Sequence, residues 1–114
     1  MHEERSLKRR HLIYYLVVTD QSTGQPLGRL LDVTTEGMLL FSEEPIETNR
    51  IYNLSIALPK DIVTKKEIFL RAKSLHCNRD SEPRFYNTGF KIEELEERDR
   101  LTLIRVINRY SFQD

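Results

Sequence analysis

Between residues 12 and 92 the chain alternates short apolar runs with clusters of turn formers, and its apolar positions recur at every second residue. The cleanest stretch is 51–58, where Tyr52, Leu54, Ile56 and Leu58 share one face and Asn53, Ser55 and Ala57 the other, until Pro59 ends it. Residues 12–19 (Leu-Ile-Tyr-Tyr-Leu-Val-Val-Thr) are β-branched and aromatic and stop at Asp-Gln-Ser-Thr-Gly-Gln-Pro, the composition of a hairpin turn. Residues 27–33 set Leu27, Arg29, Leu31 and Val33 against Gly28, Leu30 and Asp32. An apolar run resumes at 38–42, and two more strands are expected at 68–77 and 85–92, the last interrupted by Gly89.

The period then changes. Glu96, Glu97 and Asp99 stand where a helix N-terminus favours negative charge, and Leu101, Ile104, Ile107 and Tyr110, helped by Leu103 and Val106, recur at helical spacing. Six short strands without intervening helices, followed by one helix, predict an antiparallel barrel or sandwich closed or flanked by that helix.

At 114 residues the chain has the length of one domain, and no repeat or linker divides it. Lys plus Arg equals Asp plus Glu at 18 each, so there is no overall cationic field to draw it to DNA or anionic lipid. The distribution is uneven: residues 5–11 hold four cationic side chains and His11, whereas 93–97 hold four glutamates. A basic arm on a neutral body suits a small anionic ligand.

Cys77 is the single cysteine, which excludes an internal disulfide, and His2, His11 and His76 are too dispersed for metal-ligand spacing. No nucleophile-and-base arrangement surrounds Cys77, so it is expected to be a small buried hydrophobe, with Tyr14, Tyr15 and Phe41 in the core and His11 and His76 on the surface or in strands. The apolar run Leu12 to Val18 is too short for a membrane span or a signal peptide. The expectation is a soluble cytoplasmic protein that is not an enzyme, holds no metal and does not insert in a membrane.

Two clusters remain. Arg5 and Arg9 are four residues apart, so two guanidinium forks can reach one multiply charged ligand whether the segment is a helical turn or a flexible arm. Some twenty-five residues later, Asp32-Val-Thr34-Thr-Glu-Gly37 supplies an acceptor, a hydroxyl and a glycine in the expected turn between two strands. Turn chemistry accounts for these residues too, with Asp32 capping backbone amides and Gly37 taking positive φ; both roles are compatible.

In order and separation, Arg5-Ser-Leu-Lys-Arg9 and Asp32-Val-Thr34-Thr-Glu-Gly37 resemble the paired RxxxR and [D/N]x[S/T]xxG motifs of PilZ domains. Asn87-Thr-Gly-Phe-Lys-Ile before an acidic helix start is similar to that family's last strand and C-terminal helix, so the resemblance spans nearly the whole chain. It implies an all-β fold with one C-terminal helix: a flexible ligand-binding arm at 1–11, a six-stranded antiparallel barrel at 12–92 and a helix at 95–111. It also implies a receptor for the bacterial second messenger cyclic di-GMP, with no cofactor, no nucleic acid and a downstream protein as partner. By that resemblance Arg5 and Arg9 grip phosphates and guanine O6/N7 edges, Asp32 accepts from guanine N–H groups, Thr34 donates or accepts, and Gly37 lets the backbone come close. Arg9 stands three residues short of Leu12, so Arg10 shares the candidate role, and Thr34 replaces the family's usual serine. Both departures also fit a PilZ-like adaptor that has lost nucleotide binding.

Overall fold

In the computed structural model, residues 16–34, 36–60 and 65–110 are described, the last without its side chain. The elements run β1 (Val17–Asp20), β2 (Gln25–Val33), β3 (Gly37–Ser42), β4 (Ile51–Ala57), β5 (Glu67–Arg79), β6 (Tyr86–Glu94) and α1 (Glu97–Tyr110). The strands close into a barrel in the order β1-β2-β3-β6-β5-β4, with every neighbouring pair antiparallel.

Alternation builds this barrel. Val18, Leu30, Leu40, Leu54, Ile56 and Ile68 are completely buried, and apart from buried Leu31 and Ser55 their immediate strand neighbours face outward or are partly covered. Asp20 closes the first hairpin: its Oδ1 accepts from the Ser22 amide at 3.0 Å and the Ser22 hydroxyl at 2.7 Å. Gly24, at φ 77°, donates its amide to the Asp20 carbonyl at 2.8 Å, a conformation that favours glycine.

α1 packs against β2 and adds Leu103, Val106 and Ile107 to the core. Those three carry the buried face; Leu101, expected on it, is 56% exposed. Each fully buried apolar side chain contributes roughly 1.5–3 kcal/mol. Acidic Glu97 and Asp99 occupy the first turn and Arg109 the last, matching the helix dipole. Asp99 is buried and accepts from Lys65 Nζ at 2.8 Å, which ties α1 to the segment entering β5.

Strict alternation fails at the bulges. Opposite β3 the pairing steps from Leu30↔Leu40 to Asp32↔Leu39, so Leu31 is the extra residue and lies buried beside Leu30. Opposite β6 it steps from Ser74↔Phe90 to His76↔Gly89, leaving Leu75 extra, and Leu75 and His76 are both exposed. Just before this second bulge, the buried Ser74 hydroxyl donates to the Glu47 carbonyl at 2.6 Å and accepts from the Arg50 amide at 3.2 Å. Backbone bonds from Asn49 to Ser74 (2.7 Å) and from Ser74 to Arg50 (2.9 Å) fasten the same connection.

Two further expectations are corrected. Cys77 is half-buried, not buried, because past the bulge its strand has left the core. Phe41 is also half-buried and stacks on Phe85, with ring centroids 4.5 Å apart, outside the fully buried core. Tyr14, Tyr15 and His11 lie outside the described residues. Among the described residues no helix is long and apolar enough to cross a membrane.

Candidate ligand site

Asp32, Thr34 and Gly37 are brought together where β2 turns into β3, along a shallow groove of about 290 Å³ that also reaches Leu39, Leu75, His76 and Gly89. The turn holds itself. Thr34 donates its amide to the Gly37 carbonyl at 2.8 Å, while its Oγ1 accepts from the amides of Gly37 at 3.1 Å and Glu36 at 3.3 Å. Asp32 is half-buried, and its Oδ1 accepts from the Val33 amide at 2.9 Å.

Gly37 is required for a reason other than the expected positive φ, since Gly24 is the only described glycine in the left-handed region. A β-carbon on Gly37 would lie 2.8 Å from the Phe90 carbonyl oxygen on the neighbouring strand. The third motif position therefore secures a close approach between backbones.

Register arranges what surrounds the motif. Asp32 stands opposite Leu39, Leu39 opposite Gly89, and Gly89 opposite His76, so one row crosses β2, β3, β6 and β5. A parallel row runs Gly37, Lys91, Lys73, and puts exposed Lys91 directly beside the motif glycine and half-buried Lys73 one strand further on. The sequence reading did not name Leu39, Gly89, Lys73 or Lys91 as site residues; a glycine inside an otherwise well-formed strand was the available signal for Gly89.

Arg5, Arg9 and Arg10 lie outside the described residues. The described chain begins at Leu16, whose carbonyl accepts from the Leu30 amide at 2.9 Å, two residues before Asp32. Leu16 is seven positions after Arg9, a reach of up to roughly 25 Å, whereas the four steps of chain from Leu30 to Thr34 span roughly 13 Å.

A larger groove of about 590 Å³ lies between Leu27, Phe41 and Phe85. Among the described residues of the motifs, Asp32, Thr34 and Gly37 do not line it. Among the described residues no group of three or more His, Cys, Asp or Glu side chains is placed to hold a metal ion.

The PilZ domain model matches residues 3–109, a span that contains both motifs. No curated protein matches the chain by sequence. Among solved structures, the inhibitor of motility MotI/DgrA from Bacillus subtilis superposes with a TM-score of 0.68 at 16% identity, over 87% of this chain. The chain spans 47% of that protein's length, and at this identity the likeness is one of fold. With a closed six-stranded barrel, a C-terminal helix, the motif at the β2–β3 turn and a family match over almost its entire length, the chain belongs to the PilZ family.

Proposed function

We propose that this protein is a cyclic di-GMP receptor that passes the signal to a partner protein without catalysing a reaction. The observation that carries the reading is that Asp32 and the Thr34–Gly37 turn open on one groove at the end of β2, the strand to which Leu16, seven positions after Arg9, is hydrogen-bonded at Leu30. Arg5 and Arg9, with Arg10 sharing the second position, would clamp phosphates and guanine edges, and Asp32 would accept from a guanine. Lys91 would add positive charge beside Gly37, and Lys73 one strand further along the same row.

Charge-assisted hydrogen bonds contribute roughly 1.5–3 kcal/mol each, so a micromolar complex at roughly −8 kcal/mol needs several bonds from each arginine fork, in addition to the polar partners, to offset the cost of ordering the arm. Binding would fix residues 1–11 against the barrel and create a surface that the downstream protein reads, in the cytoplasm where the messenger is found. Regulation of this kind is in keeping with a structural neighbour named as an inhibitor of motility.

A second reading rests on one contact set: Thr34 Oγ1 already accepts two turn amides, so it is engaged without a ligand, as in an adaptor that does not bind nucleotide. Titration calorimetry with cyclic di-GMP, beside Arg9→Ala and a GTP control at the same salt, separates the two. Micromolar or tighter binding that is lost in Arg9→Ala and absent for GTP supports the receptor; no heat from the unaltered chain supports the adaptor.

A further inference from the structure

His76 is absorbed by neither motif, yet its imidazole lies in the same groove as Asp32 and Gly37. Its position is specific. A β-carbon on Gly89 would sit 2.6 Å from His76 Nε2 and 2.7 Å from Cε1, so the ring is seated in the space a side chain at Gly89 would take. The β5 bulge makes this possible: with Leu75 left unpaired, His76 is set opposite Gly89 on an exposed stretch of strand. Bulges re-aim side chains in this way. A second bulge, at Leu31, precedes Asp32 at the other end of the row.

We propose that His76, seated on Gly89, is a preformed stacking platform for one guanine of the ligand, an inference that rests on the receptor reading above. The imidazole is exposed while one side of it is occupied by the Gly89 backbone, so a base can cover the remaining surface. Because Gly89 fixes the ring's seat, little side-chain freedom is lost when a base arrives. Asp32 and His76 stand three strand spacings apart, roughly 14 Å. That separation suits a ligand with two base rings, one read at its edge by Asp32 and the other held by its face on His76. A mononucleotide reaches one end only.

The test is calorimetry with cyclic di-GMP on the full chain and on His76→Ala, His76→Phe and Gly89→Ala, with thermal midpoints recorded for each. Stacking on an aromatic ring predicts about fivefold to a hundredfold weaker binding for His76→Ala and an affinity within about threefold of the unaltered chain for His76→Phe. Gly89→Ala displaces the ring from its seat and is expected to weaken binding while the fold is kept. Upfield shifts of the His76 ring protons at saturation, followed by NMR, are expected from a base lying over the imidazole. Unchanged affinity in His76→Ala, equal loss in His76→Ala and His76→Phe, or unshifted ring protons in the bound state would each overturn the platform and leave the receptor reading standing. Absence of binding by the unaltered chain would overturn both.

Discussion

The carbonyl oxygen of Phe90 occupies the place where Gly37 would carry a side chain, 2.8 Å from an ideal β-carbon. Gly89 has an equally short approach at 2.6 Å, but to the end of the His76 side chain instead of to backbone. The two glycines should therefore respond differently to alanine. Gly37→Ala must push β3 from β6 and is expected to lose about 1–3 kcal/mol, whereas Gly89→Ala, relieved by rotation of an exposed ring, should stay within about 1 kcal/mol. Urea midpoints at constant slope measure both.

Thr34 separates a hydroxyl requirement from a shape requirement. Thr34→Val keeps the volume but leaves the amides of Glu36 and Gly37 without their side-chain acceptor, and should cost about 1 kcal/mol. Thr34→Ser keeps that acceptor and should lie within about 0.5 kcal/mol of the unaltered chain. If the receptor reading holds, Thr34→Ser also keeps cyclic di-GMP affinity and Asp32→Ala loses it, which calorimetry reads directly.

Ser74 is completely buried and serves the Glu47 carbonyl and the Arg50 amide with one hydroxyl. Ser74→Ala removes both bonds without adding bulk and is expected to destabilise by about 1–3 kcal/mol. The Tyr52 hydroxyl also donates to Glu47, at 3.2 Å. Ser74→Ala and Tyr52→Phe should accordingly be non-additive in a double-mutant cycle.

Burial pushes the Tyr52 phenol above its usual value near 10, with the Arg50 guanidinium, 5.0 Å from the ring centroid, pulling the other way. The folded chain thus holds this proton more tightly than the unfolded chain does. The resulting stability is complete below about pH 10 and is lost as pH rises from there through the higher folded value. Comparing the unaltered chain with Tyr52→Phe in urea between pH 7 and 11 should show their difference constant at first and shifting against the unaltered chain above about pH 10.

The six strands and the helix were legible because each buries one face, and burial writes its period into the residues: Tyr52, Leu54 and Ile56 could be assigned inward before any partner strand was known. Bulges were not legible, since an extra residue such as Leu31 or Leu75 is defined only against the strand it faces. The same limit explains the helix face, where Leu101 and Leu103 are equally apolar but only docking on β2 selects Leu103. In the candidate site, the local Asp32–Gly37 turn was readable from one stretch of chain. The cross-strand neighbours Leu39, Gly89 and Lys91 required the register, and the reason for Gly37 lay on β6, more than fifty residues away.

Closure of the barrel has a consequence for how a partner can be met. β1 and β4, which would be the margins of an open sheet, hydrogen-bond to each other from Val18↔Ile56 to Asp20↔Leu54. Recruitment by adding a strand to those margins, a common way for extended peptides to dock, has no template there. Among the described residues, that seam offers a passing chain side-chain relief and no free main-chain ladder, so selectivity there is written in amino-acid identity and shape instead of in generic main-chain pairing.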